Sequence, residues 1–349
     1  MTSAESPQER WVADPSIGWR ILLTASLPHP PAVATVTGHL EALAASHGWP
    51  SPPVRTAADP AALRRALTAA DPAPVVVGIA GSDLVVSAHH AAVDGLGLLR
   101  VLDGLGLAPV RSTARGVGER PAEHGLLGTI ARRLGEAAVS PPARPRPSTR
   151  GETPSATRAE GDVLCDLEVA GTYRTAAVVH AAVRAVVDHE EGLGRAARHV
   201  AVAVGVTRDP DPDSPIADRS ALLRLRDVEG LTRLDIERAL RTAPVQAPPG
   251  GGTRRPWSGA VGRVSAVGMR VLGPRLGSTL LVSHLGEVSA PHVDRLAFHP
   301  VTAGGSGLSL GVVGDRGRTV LGLRARASAW DADGLERLLE PVGGRLTDG

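Results

Sequence analysis

At 349 residues, with 42% hydrophobic and 21% charged side chains, the chain has the composition of a folded globular protein, long enough for two domains of ordinary size. Its 38 basic residues nearly balance 36 acidic ones, so despite a pI of about 9.4 the formal charge is only +2, and with aromatics at 2% neither a basic stripe nor a stacking surface for nucleic acid is expected. Lysine and asparagine are absent, which removes Schiff-base, P-loop and pyridoxal-phosphate chemistry; the single Cys165 removes internal disulfides and multi-cysteine zinc sites.

The stretch Met1 to Arg20 lacks the apolar core of a signal peptide, and no later stretch is free enough of charge and proline to cross a bilayer. A cytoplasmic protein without membrane contact is the expectation. Residues 20–27 read as a strand, Val33–His47 as a helix ending near Gly48, and Pro60–Ala70 as a second helix. Val75–Ile79 and Leu84–Ala88, split by Gly81-Ser82-Asp83, form a predicted hairpin whose second strand delivers His89 and His90. Asp94 is a fitting N-cap for a helix carrying Leu98, Leu99 and Leu102.

Residues 141–160 are rich in Pro, Ser, Thr and charge and have almost nothing to bury. They predict an N-terminal half (1–145), a linker (146–160) and a C-terminal half (161–349). The second half repeats the order of the first: a strand at 163–169, a helix at 175–189 and a strand at 199–207. A flexible loop with Arg254 and Arg255 is predicted over 247–259, then strands at 280–283, 308–313 and 319–325 and a closing helix at 332–339.

Two adjacent histidines at an abrupt strand-to-helix junction are placed to face a cleft, and a neutral imidazole can take a proton from an amine or hydroxyl attacking a carbonyl carbon. The segment His89-His90-Ala91-Ala92-Val93-Asp94-Gly95 resembles the HHxxxDG motif of the superfamily that contains nonribosomal peptide synthetase condensation domains, wax-ester and alcohol acyltransferases and chloramphenicol acetyltransferase. The resemblance continues through Val202–Arg208 and Ser283-His284-Leu285-Gly286, and covers roughly residues 17–340.

The resemblance implies two chloramphenicol-acetyltransferase-like α/β halves in a V, with an active-site channel between them. It implies His90 as the catalytic base, with His89 and Gly95 completing the motif and Asp94 in a structural role, paired with Arg208. Ser283, His284 and Gly286 would line the channel, with His284 standing where the family carries Asn. The implied reaction condenses a thioester-bound acyl group, on a phosphopantetheine carrier protein or CoA, with an amine or alcohol, as in natural-product biosynthesis. No bound cofactor, no metal, no nucleic-acid partner and a monomeric state go with it. Two alternatives stay open: a non-catalytic platform that docks a carrier protein or partner enzyme, and cyclisation of a tethered substrate.

Simpler readings stand beside these. A His-His pair can be a satisfied structural pair, Asp94 only an N-cap, Arg208 a surface charge in a turn, and His284 an ordinary sheet residue. Gly307-Leu308-Ser309-Leu310-Gly311 has the letters of a nucleophile elbow but continues as strand, turn and strand, so Ser309 is expected in a sheet. Asp209, Asp211, Asp213 and Asp218 suggest a calcium loop, but prolines interrupt it and Ser214 and Ser220 occupy two key positions, which favours a solvated turn. Gly95-Leu96-Gly97 and Gly104-Leu105-Gly106 lack the rest of a dinucleotide fingerprint.

Overall fold

A computed structural model describes residues 19–118, 120, 135–147, 161–208, 215–246, 277–302 and 307–348. The loop carrying Arg254 and Arg255, most of the linker, and Asp209, Asp211 and Asp213 lie outside the described residues.

The first sheet has the strand order β10-β1-β4-β3-β2, with β1 at Arg20–Ser26, β2 at Arg55–Thr56, β3 at Val75–Ala80, β4 at Asp83–His89 and β10 at Arg295–His299. Its apolar runs bury both faces. On one face lie α1 (Val33–His47), through Val36, Leu40 and Ala44, and α3 (Gly95–Leu102), through Leu98, Leu99, Val101 and Leu102. On the other, Leu63 and Leu67 of the α2 region (Pro60–Ala66) pack on Leu22, Val76 and Val85. Proline at N1 and an Asp59 side chain accepting from Ala61 and Ala62 N–H start α2.

The second sheet runs β6-β12-β11-β9-β7-β8: β6 is Asp162–Ala170, β7 Val202–Thr207, β8 Ser220–Leu225, β9 Leu280–Ser289, β11 Ser309–Asp315 and β12 Arg318–Arg326. Two short residues of β5 (Arg111–Ser112) pair with the end of β9. Among the described residues, three helices complete this half: α4 (Thr175–Gly192), α5 (Arg233–Thr242) and α6 (Ala332–Thr347). Val178, Val179, Val183 and Val186 of α4 and Leu335, Leu338, Leu339 and Val342 of α6 form one core with the sheet. The last helix runs well past the predicted Leu339, through Pro341, because Val342 and Leu346 continue its apolar stripe.

The halves exchange strands across the predicted division. β10 comes from the second half yet pairs antiparallel with β1, and Leu285, Val288, Leu296 and Phe298 belong to the first half's core. Gly311 and Gly322, cross-strand partners on β11 and β12, make this crossing possible: a methyl group on either would overlap the carbonyl oxygen of Phe298. Buried Arg324 fastens it, donating to the carbonyls of Arg20 (2.7 Å) and Pro300 (3.1 Å) and from Nε to Asp162 (2.7 Å). Beside it, Asp166 of β6 takes Arg64 Nη1 at 2.7 Å and stands 2.8 Å from His299 Nε2. These contacts fix the angle between the halves and so the shape of the space they enclose.

Candidate active site

Strand β4 ends at His89, where the chain turns sharply: the amides of Ala92 and Val93 both donate to the His89 carbonyl, at 2.9 and 3.1 Å. His89 is buried, its own amide donates to Pro74 O at 2.8 Å, and its Nδ1 accepts from Ala91 N–H at 3.3 Å. Burial, then the neighbouring Arg20 and His90, push its pKa down to about 4, so the ring is neutral with its proton on Nε2. His89 is therefore a buried, neutral ring at the end of β4.

His90 lies one residue beyond, its amide held by Trp19 O at 2.8 Å, and its ring lines a cavity of about 870 Å³ between the two halves. Its Nδ1 faces the carboxylate of Asp218 at 3.8 Å, each side chain 19% exposed. That is an ion-pair separation, too long for a direct hydrogen bond between the two.

Asp94 holds the two halves at the motif. Its Oδ1 accepts from Gly97 N–H at 2.7 Å, capping α3, and its Oδ2 accepts from Arg219 N–H of the second half at 3.1 Å. Burial raises its pKa against the pull of those two amides. Gly95 leaves room for β9: an added Cβ would stand 2.7 Å from Leu285 Cδ2 and 3.3 Å from Phe298 Cζ.

The expected Asp94–Arg208 ion pair is not formed, a correction to what the motif implied. Thr207 points inward on β7, so strand alternation turns Arg208 to the exposed face. Among the described residues Arg208 contributes its amide, which donates to Arg219 O at 3.0 Å, beside the residue that binds Asp94.

Strand β9 brings Ser283, His284 and Gly286 to the same cavity. Gly286 sits at φ +77° where the β9–β11 register slips; a Cβ there would come within 2.8 Å of Ala114 N. His284 shares a 3.1 Å hydrogen bond between Nδ1 and Thr175 Oγ1 at the start of α4, and burial pushes its pKa down to about 4. Ser309 is a buried sheet residue donating to Pro300 O at 3.1 Å, as its context predicted. Sequence reasoning missed two residues here: Asp218, hidden among turn aspartates, and Thr175, an ordinary helix-start threonine. Neither carried a signal of its own in the sequence, since the strand that follows Asp218 is itself hard to see there.

The described residues contain no helix long and apolar enough to cross a membrane. They contain no group of three or more His, Cys, Asp and Glu side chains arranged for a metal.

No protein-family model and no curated protein matches the sequence. Solved structures do match. The first condensation domain of the calcium-dependent antibiotic synthetase, bound to a substrate analogue, superposes with a TM-score of 0.54 at 16% identity over 99% of this chain and 96% of that one. The epimerization domain from the third module of tyrocidine synthetase B gives 0.51 at 12% identity, over 99% and 96%. The cyclization-docking bidomain of the EpoB synthetase from Sorangium cellulosum gives 0.56 at 14%, over 98% and 86%. The chain has the condensation-domain fold of nonribosomal peptide synthetases.

Proposed function

We propose that this protein is an acyltransferase that joins a thioester-bound acyl group to an amine or alcohol, with His90 as the general base. The observation that carries the reading is the His90 ring on the wall of a cavity of about 870 Å³ that both halves line. That volume suits a small acceptor together with the end of an acyl thioester. A starter condensation domain of rhizomide synthetase with this fold, at a TM-score of 0.53 and 14% identity, binds C8-CoA, which makes CoA or a phosphopantetheine carrier protein the natural donor to test.

In this mechanism the acceptor nitrogen or oxygen attacks the thioester carbonyl carbon while His90 takes its proton, and the carbonyl π electrons move to oxygen. Collapse of that oxyanion breaks the C–S bond, and the protonated His90 returns its proton to the departing thiolate. Asp218 supports the transient imidazolium by charge. Positioning of both reactants supplies much of the rate, so no covalent acyl-enzyme is required. Cyclisation of a tethered substrate is the second reading, favoured by the match to a cyclization bidomain.

The test incubates the protein with acyl-CoA and acyl-carrier donors against a panel of amines and alcohols, with His90→Ala as control. Product formation that His90→Ala abolishes supports transfer. A donor-bound product lighter by one water points to cyclisation, and identical output from both proteins points to a docking platform.

A further inference from the structure

His284 of β9 lines the same cavity as His90, and acyl transfer through His90 leaves it without a role. Its Nδ1 is committed to Thr175 Oγ1 at 3.1 Å, and its Nε2 engages no partner among the described residues while the ring lines the cavity. The direction of the Thr175 bond decides what Nε2 can do. Thr175 opens α4, where no carbonyl four residues back is available to its hydroxyl, and it makes no other hydrogen bond among the described residues. If the ring donated, the Thr175 hydroxyl proton would have no acceptor within the fold and would go to solvent in the cavity that Thr175 also lines. If the hydroxyl donates to Nδ1, both groups are satisfied within the fold and the ring proton stands on Nε2, on a residue that lines the cavity.

We propose that His284 is a further catalytic residue, a neutral N–H donor that binds the thioester carbonyl oxygen as it becomes an oxyanion. The proposal deepens the acyl-transfer reading and rests on it. A neutral imidazole is well matched to this role, because it offers one directed hydrogen bond and burial keeps the ring uncharged through the physiological range. Charge then divides cleanly between the two rings. His90 gathers the acceptor's proton, and His284 receives the negative oxygen.

The experiment compares His284→Ala, His284→Gln and His90→Ala with the native protein, using the donor and acceptor pair identified in the transfer assay. His284→Ala is expected to lower kcat by roughly 10²-fold with KM for the donor little changed. His284→Gln, whose amide nitrogen falls near the lost Nε2, is expected to recover much of the loss, with circular dichroism unchanged in both. A kcat for His284→Ala equal to the native value, while His90→Ala is inactive, overturns the inference and leaves the acyl-transfer reading standing. A native protein that transfers no acyl group removes both.

Nitrogen-15 spectra of histidine-labelled protein, with His284 assigned by its loss in His284→Gln, decide the donor geometry independently of turnover. A neutral ring protonated on Nε2 supports the proposal, and one protonated on Nδ1 overturns it.

Discussion

The Asp94 carboxylate accepts the backbone N–H of Arg219 at 3.1 Å, a bond that ties the His-His junction of one half to the leading edge of β8 in the other. The same carboxylate caps α3. Replacing Asp94 by Ala therefore removes a helix cap and strands a partly buried amide. The expected cost is about 2–3 kcal/mol in urea denaturation, with transfer activity lost in proportion to motif disorder. An Asp94→Ala protein as stable as the native one would show that the bond is inconsequential.

Asp218 gives a sharper functional prediction, because its contact with His90 is made by charge at 3.8 Å. Asp218→Asn keeps an acceptor oxygen for the local turn that binds Ser220 while discarding the charge. We expect kcat/KM to fall about tenfold, ~1.4 kcal/mol, at unchanged thermal midpoint. Equal kinetics would remove Asp218 from the site.

The crossing of β10 is predicted to tolerate no side chain beneath it. Gly311→Ala and Gly322→Ala each set a methyl group against the Phe298 carbonyl, a backbone atom held by sheet pairing. The expected loss is about 3 kcal/mol or more, since the collision cannot be relieved by a rotamer change. Gly344→Ala, which meets nothing within 4 Å on the last helix, is the control, expected to hold or slightly raise stability because alanine favours the helix. Comparison of chemical denaturation midpoints checks the contrast.

Stability should depend on pH in two windows. Burial, then Arg20 and His90, bring His89 down to about 4, whereas an unfolded imidazole titrates near 6.5. The unfolded chain thus binds a proton that the folded one refuses; the contribution of His89 is full above about pH 6.5 and falls by about 3 kcal/mol as pH drops toward 4, and buried His284 acts in the same window and the same direction. Asp166 acts lower. Although burial pushes its pKa up, His299, Arg64 and Arg295 hold it well below the usual carboxylate range. Its stabilisation is complete above about pH 4 and is lost as pH falls further toward the folded value. Denaturant titrations at pH 7, 5.5 and 4.5 on native protein and His89→Gln should show a shallower upper slope in the variant.

The lone Cys165 offers a simple reporter. Burial, then the charges of Asp166 and Glu336, push its thiol up to about 12. It should resist iodoacetamide at pH 8 in the folded protein and react on denaturation. Rapid native labelling would contradict the packing of β6.

Much of the fold is legible in the sequence where a pattern is local. Helix Val33–His47, the hairpin feeding His89, the Asp94 cap and the sheet location of Ser309 all follow from short-range apolar spacing and turn chemistry. The second helix stops at Ala66, short of the predicted Ala70. What escapes such a reading depends on distant partners. Arg295–His299, with arginine, histidine and phenylalanine in five residues, carries no strand pattern of its own, and becomes β10 because β1 supplies the hydrogen bonds. Ser220–Leu225 and Arg233–Thr242 are hard to see for the same reason, lying between a turn and a loop. The motif places Arg208 opposite Asp94, and a single step of strand alternation sends its side chain the other way.

The borrowed strand also sets the order in which the molecule can be built. During synthesis the first half emerges with β1 as an open edge, and that edge stays uncovered until His299 has cleared the ribosome. A polypeptide cut in the linker would yield two fragments that need each other to close, so the active junction can ripen only when nearly the whole chain exists.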